Sequence, residues 1–309
     1  MKSDKQKAVI NWSGGKDSAL ALHRVLTHDD TEVGYLLTTV NEHFNRISMH
    51  GVRTELLDIQ AESIGIPLHK VLLPEMPDME TYDRTMMQTL QKLKSKGITA
   101  SIFGDIFLED LRKYRETQLA MVNLAAVFPL WQIPTDKLIR EFIDIGFKAV
   151  IVCVNEEFLD KSFAGKNIDE EFIRDLPRGV DPCGENGEFH SFVYDGPIFK
   201  KPIKFMKGEI VYRRYEPPKQ RKRTQDDEQP MPYPQAHGFW YCDLISIDAV
   251  DHCAFQKPKT CPSCGDTFLC GPTNSGGKCW CSELPNVMTT EDGKDCLCPT
   301  CLKKAIDKR

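Results

Sequence analysis

The cysteines are placed so unevenly that they divide the chain into two different folding problems. Of twelve, none precedes Cys153, and ten fall between Cys242 and Cys301. The cysteine-poor part is long enough to bury a core of its own. The cysteine-rich end is short, and its apolar content is little more than Phe268, Leu269, Trp280, Leu284 and Val287. A segment of that size does not hold together by burial alone and needs cross-links or metal. The longest apolar runs, such as residues 149–154, are too short to span a bilayer. Residues 1–5 lead straight into a strand-like run, without the apolar stretch of a signal peptide. The expectation is a cytoplasmic protein whose dense cysteines bind metal rather than pair as disulfides.

Their spacing supports this. Cys261-x-x-Cys264 and Cys298-x-x-Cys301 are two knuckles that can complete one tetrahedral zinc site. Cys270, Cys279, Cys281 and Cys296 can make a second. Four thiolates leave no open position on the metal, so the expected Zn²⁺ is structural, and its binding supplies folding energy.

The long part alternates strand and helix signals. Short apolar runs at residues 8–12, 32–40, 68–73, 100–103 and 127–130 are separated by helical patterns at 17–26, 54–64, 82–96 and 108–124. Such alternation predicts an α/β fold, a mainly parallel sheet with helices on both faces. Residues 133–216 read as a smaller α+β domain, with a helix at 135–145 and strands at 148–154, 189–194 and 209–215. Residues 217–240 carry five prolines and opposed charge runs and read as a linker. The expected division is therefore 1–132, 133–216, a linker over 217–240, and a cysteine-rich domain over 241–309.

Between the first strand and the first helix lies Ser13-Gly14-Gly15-Lys16-Asp17-Ser18. Two glycines let the backbone turn sharply and approach an anion. Amides at a helix start point at that anion, and the helix dipole favours its charge. Ser13 and Ser18 add hydroxyls and Lys16 a positive charge. Asp17 is unhelpful beside naked phosphate but fits if Mg²⁺ lies between them. The spacing is neither that of Walker A nor that of the dinucleotide fingerprint. It resembles the PP-loop of the ATP pyrophosphatases, which implies ATP cleaved between its α- and β-phosphates.

A second signature is Asp181-Pro182-Cys183-Gly184-Glu185-Asn186-Gly187-Glu188-Phe189-His190-Ser191-Phe192, with Glu185 and Glu188 as its paired carboxylates. Two carboxylates on a glycine-relaxed loop repel unless a cation or basic ligand neutralises them, and a solvated acidic turn is the equal alternative. The PP-loop, Met49-His50, Gly104-Asp105-Ile106, Pro129-Leu130-Trp131 and this acidic signature occur in an order that resembles the diphthine–ammonia ligase family. Phe163-Ala164-Gly165-Lys166 and Asp195-Gly196-Pro197-Ile198-Phe199 extend the resemblance, which covers roughly residues 7–215. It implies a nucleotide-binding domain of the HUP type with a smaller second domain. It also implies a ligase that adenylates a carboxylate and lets ammonia displace AMP. Carried over, Ser13 to Ser18 hold ATP and Mg²⁺, while His50, Gly104 and Asp105 line the nucleotide pocket. Lys16 and Asp17 then act on the phosphates, and Glu185 and Glu188 face the acceptor.

The cysteine-rich end is not part of that family. Its Cys279-Trp280-Cys281 centre resembles the cysteine-rich CWC domains, which leaves the acceptor open between diphthine and another protein or small molecule. No glutaminase is evident, so the expected nucleophile is free ammonia or an amine. Two other readings compete: a PP-loop tRNA-modifying enzyme gripping tRNA through its zinc module, and a non-enzymatic nucleotide-binding adaptor. The net charge of −5 weighs against a nucleic-acid partner. Intact Lys16-Asp17 weighs against a dead site.

Overall fold

The computed structural model describes residues 5–28, 30–47, 50–74, 77–215, 237–247, 257–265, 267–270 and 297–306. The chain forms two compact units, Met1–Ile245 and Ser246–Arg309.

The first unit opens with β1 (Gln6–Asn11), α1 (Lys16–Thr27), β2 (Thr31–Asn41), β3 (Arg46–Ile47), α2 (Thr54–Ile64) and β4 (Leu68–Leu73). It continues with α3 (Met79–Ser95), β5 (Ala100–Ile102), α4 (Glu109–Met121) and β6 (Ala125–Val127). These strands form one sheet in the order β3-β2-β1-β5-β6, with β4 on β2. All pairings are parallel except the short β2–β3 pair. Burial on both faces explains the apolar runs. Ala8 and Ile10 enter a core with Leu22 and Leu57 of α1 and α2, and Val9 enters another with Leu90, Leu93 and Leu119 of α3 and α4. Neighbouring residues of a strand point to opposite faces, so one short strand serves both layers. The α/β expectation is met.

Local chemistry sets the element ends. Gly65 closes α2 at φ 85°, a left-handed conformation that costs glycine little. Asp78 caps α3 by accepting from the Thr81 amide at 2.8 Å. The strand expected at 127–130 lies instead at Ala125–Val127. Pro129 has no N–H to give a ladder, so pairing with β5 ends before it.

Next come α5 (Thr135–Asp144), β7 (Lys148–Asn155), α6 (Glu170–Asp175), β8 (Phe189–Asp195), β9 (Phe205–Tyr215) and β10 (His237–Ser246). Their sheet has the order β8-β7-β10-β9, and β7 pairs antiparallel with both neighbours. Strand β10 runs across the 240/241 boundary drawn from composition. It sets Trp240 opposite Val154 and Tyr241 opposite Cys153. Its alternating pattern was hidden by the proline-rich segment before it and by Cys242, which groups with the tail cysteines in sequence.

In the second unit, β11 (Lys257–Thr260) and β12 (Thr267–Cys270) form an antiparallel pair, and α7 (Pro299–Ile306) lies near the C-terminus. Among the described residues, no helix is long and apolar enough to cross a membrane.

Candidate active site and cysteine cluster

The glycine-rich loop joins β1 to α1, as the sequence requires. Gly14 has φ 76°, and a Cβ there would lie 2.8 Å from the Gln60 side-chain oxygen. Gly15 is the N-cap of α1 and provides no side-chain cap. A Cβ on Gly15 would lie 3.0 Å from the Ser191 carbonyl and 3.1 Å from the His50 ring. The bare backbone is thus needed for the fit of the loop against its neighbours. The start of α1 also has the donor chemistry that a phosphate group requires.

The hydroxyls of Ser13 and Ser18 are 3.2 Å apart, and that of Ser18 donates to the Gly15 carbonyl at 2.9 Å. Lys16 is buried and its ammonium meets both Asp17 carboxylate oxygens, at 2.7 and 2.8 Å. Burial lowers the pKa of Lys16, but Asp17, joined by Cys183 and Glu185, outweighs it, and the net direction is upward. Burial raises the pKa of Asp17 against the pull of Lys16. Gly104 is where the loop after β5 passes α1. A Cβ there would meet the Asp17 backbone at 2.9 Å. The next residue, Asp105, faces Arg115 of α4 at 2.7 Å.

The second sheet closes the other side of the loop. Ser191 of β8 accepts from the Lys16 amide at 3.2 Å, and the Val193 amide donates to the Gly14 carbonyl at 2.9 Å. Gln60, wholly buried on α2, ties the parts together. It accepts from the Trp12 indole at 2.9 Å and donates to the carbonyls of Gly14 and Val193, at 3.1 and 2.6 Å. His50 Nδ1 lies 3.3 Å from the Ser191 carbonyl, and its ring stacks on His190 at 4.5 Å. Burial, with Lys16 adding to it, pulls His50 down to about 4 and His190 well below its ordinary value. Both rings are neutral at pH 7.

The two glutamates of the acidic signature have different partners. Glu185 reaches across to the first sheet, where it accepts from the Ile106 amide at 2.8 Å. Burial raises its pKa to about 7; the Ile106 hydrogen bond opposes this and nearby Asp17 adds to it. Glu188 is 1% exposed and turns into its own loop. It accepts from the amides of Asp181 and Asn186 and from the Asn186 side chain, at 3.1, 2.9 and 3.0 Å. The two carboxylates, equivalent in sequence, thus differ in the structure: Glu188 is held by three hydrogen bonds within its own turn, and Glu185 reaches the loop after β5. Cys183 is a buried thiol beside them, its pKa pushed up by burial.

Sequence reasoning missed Gln60, Ser191, His190 and Asp181. A lone glutamine on an amphipathic helix gives no signal. Asp181, His190 and Ser191 lie within the acidic signature, but its spacing drew attention only to the two glutamates.

In the second unit, the Sγ atoms of Cys261, Cys264, Cys298 and Cys301 all lie within 4.8 Å of one another. The Cys298 amide donates to Cys261 Sγ at 3.3 Å. Burial resists the thiolate, but hydrogen bonds led by this one bring the Cys261 pKa down to about 6. A sulfur-only set with a stabilised thiolate fits a soft, tetrahedral metal. The side chains of Cys270, Cys279, Cys281 and Cys296, expected to form a second site, lie outside the described residues.

Residues 6–121 match the family model of the diphthamide synthase N-terminal domain, and residues 134–224 that of its C-terminal domain. The chain belongs to the diphthamide synthase family. Residues 261–303 match the cysteine-rich CWC model. A diphthine–ammonia ligase from Homo sapiens is 27% identical over 220 residues, which covers 64% of this chain and 82% of the human protein. One from Rattus norvegicus is 27% identical over 232 residues, with the same shares covered. A U34-tRNA thiolase from Methanococcus maripaludis has 18% identity and a TM-score of 0.31, covering 46% of this chain and 57% of its own, which is too slight to bear on activity. Membership of the diphthamide synthase family makes the chain an ATP-dependent ligase by class.

Proposed function

We propose that the chain is a cytoplasmic ligase that transfers AMP from ATP to a carboxylate of an acceptor and then lets ammonia or an amine displace AMP. In the first step a carboxylate oxygen bonds to the α-phosphorus and pyrophosphate leaves. In the second, nitrogen bonds to the acyl carbon, AMP leaves, and nitrogen gives up a proton. The observation that carries the reading is Glu185. It comes from the second domain, hydrogen-bonds the loop that follows β5, and titrates near neutrality beside Lys16 and Asp17. A carboxylate with that pKa is suited to accept the proton that nitrogen loses.

The other residues have separate tasks. Lys16 and the amides of α1 steady the negative charge that grows on the phosphates. Ser13 and Ser18 orient them, and His50, Gly104 and Asp105 line the nucleotide pocket. Asp17 would hold Mg²⁺ through the carboxylate that here pairs with Lys16, and the ion would supply charge neutralisation for the phosphates. Glu188 fixes the turn that aims Glu185. The cysteine-rich unit binds Zn²⁺ at Cys261, Cys264, Cys298 and Cys301, with Cys270, Cys279, Cys281 and Cys296 as a second set. Its role is structural and directed to a partner surface. Diphthine, a carboxylate beside a fixed positive charge, is the acceptor the family suggests, and the ionised carboxylate of Glu185 would favour that charge.

The test is incubation with ATP, ammonium and a diphthine-bearing or other carboxylate acceptor. AMP, pyrophosphate and an amide are expected. ADP as the main nucleotide product would exclude the reading.

A further inference from the structure

Arg46-Ile47 and residues 50–53 fold back on one another as the described parts of a short hairpin, which brings His50 to the phosphate loop. Its base is an antiparallel bridge between Arg46 and Arg53, with the Ile47 amide donating to the Val52 carbonyl at 2.9 Å. Two arginines facing each other across such a bridge repel, so the hairpin is poorly suited to close unaided. Asp243 of β10 supplies the missing charge. It accepts from Arg46 Nη1 at 2.9 Å, from Arg53 Nη2 at 2.7 Å and from Arg53 Nε at 3.2 Å. Arg46 Nη1 also donates to the Gly51 carbonyl at 2.5 Å. The Tyr241 ring, two residues before Asp243, lies against Gly51 so closely that a Cβ there would be 2.8 Å away. Beyond this base, His50 packs on His190, the Ser191 carbonyl and the space beside Gly15. Strand β10 lies outside all three matched segments, 6–121, 134–224 and 261–303.

We infer that Asp243 is a positioning residue for the nucleotide pocket: it clamps the Arg46–Arg53 hairpin and thereby holds His50 against the phosphate loop. The inference rests on the ATP site proposed above. It adds that a strand outside the matched segments completes that site. Asp243 is anchored by the pairing of β10 with β7, so the clamp is tied to a sheet and not to a loop.

Nucleotide binding and steady-state turnover in the full chain test it. ATP binding by the unaltered protein checks the ATP site, and its absence would overturn that reading first. Asp243→Asn should raise KM for ATP between about tenfold and a hundredfold, the scale of a displaced positioning group, with kcat changed less than about twofold. Asp243→Glu should restore most of the affinity. Arg46→Gln added to Asp243→Asn should also recover part of it, because one of the two repelling charges is then gone. Lys148→Met, which removes an exposed ion pair with Asp195 in the same sheet, controls for general loosening. An unchanged KM in Asp243→Asn overturns the inference. So does a fall in thermal stability with KM unmoved, or an equal rise of KM in the Lys148 control. If Asp243→Asn does not fold, Asp243→Glu and Arg53→Gln decide: KM must rise in the second and stay near normal in the first.

Discussion

Trp12, Phe142 and Phe172 are sealed inside the first unit, whereas the described buried hydrophobic side chains of the second are Cys261 and Cys298. In the first unit two apolar layers flank a parallel sheet, and the site is a by-product of that order: a loop, a hairpin and a turn held where strands end. In the second, Cys261 and Cys298 are at once its described buried hydrophobic residues and two of the four candidate metal ligands. Removing a ligand from the first unit should leave its fold intact, since the core does not depend on ATP. Among the described residues of the second, core and candidate ligands overlap at Cys261 and Cys298, so loss of the metal should cost the fold.

The sharpest way to break this contrast is to remove the metal. Chelation, or Cys261→Ser with Cys298→Ser, should unfold the second unit, because on the order of 10 kcal/mol of folding free energy in such sites comes from zinc. The first unit should keep its thermal transition and its ATP binding. Elemental analysis for zinc before and after, with circular dichroism and nucleotide binding, checks it. Zinc-free protein with an ordered tail would refute the metal argument.

The reverse change is next in size. Lys16→Ala should slow AMP formation by about 10²- to 10³-fold, as expected when a group that steadies developing charge is lost. Zinc content and the fold of both units should stay as they were. A loss under tenfold would show that Lys16 serves its ion pair with Asp17 and little else.

A smaller effect is expected where fold and site meet. Gln60→Leu would strand the Trp12 indole N–H and the carbonyls of Gly14 and Val193. Leaving such buried groups unpaired should cost about 1–3 kcal/mol, read as a lower thermal midpoint of the first unit alone. ATP affinity should fall with it if Gly14 belongs to the phosphate loop as proposed. Stability unchanged within error would show that the junction tolerates loss of its hub.

The two units also differed in how much of them the sequence revealed. The α/β layers, the loop over Ser13–Ser18 and the pairing of Cys261-x-x-Cys264 with Cys298-x-x-Cys301 were legible because each rests on local pattern: period, glycine placement, ligand spacing. What was hidden depends on distant partners. Glu185 and Glu188 look equivalent in sequence, and only the amides around them distinguish them: Ile106 for one, Asp181 and Asn186 for the other. Strand β10 was masked by the prolines before it and the cysteines after it. Gln60 and Asp243 are ordinary polar residues until their partners, 46 to 197 positions away, are known.

The smallest expected effect concerns Glu185, and its sign distinguishes a site group from a structural one. Its pKa in the fold is about 7, against an ordinary 4.5, because burial disfavours the charge. The folded protein therefore holds this proton more tightly than the unfolded chain does. Between pH 4.5 and about 7 the folded state carries more of it, so this group's contribution to stability declines as pH rises and is flat above 7. Activity runs the other way. If ionised Glu185 takes the proton from nitrogen, turnover should climb through pH 7 to a plateau. Glu185→Gln should abolish that limb and lower the plateau, while ATP affinity holds within about threefold because the residue serves the acceptor step. The same variant should flatten the fall in thermal midpoint between pH 4.5 and about 7. Glu188→Gln should instead destabilise the turn without shifting the pH limb, since its oxygens are held by amides and not by a reacting group. A pH limb that survives in Glu185→Gln would assign the proton to another group and separate Glu185 from the chemistry.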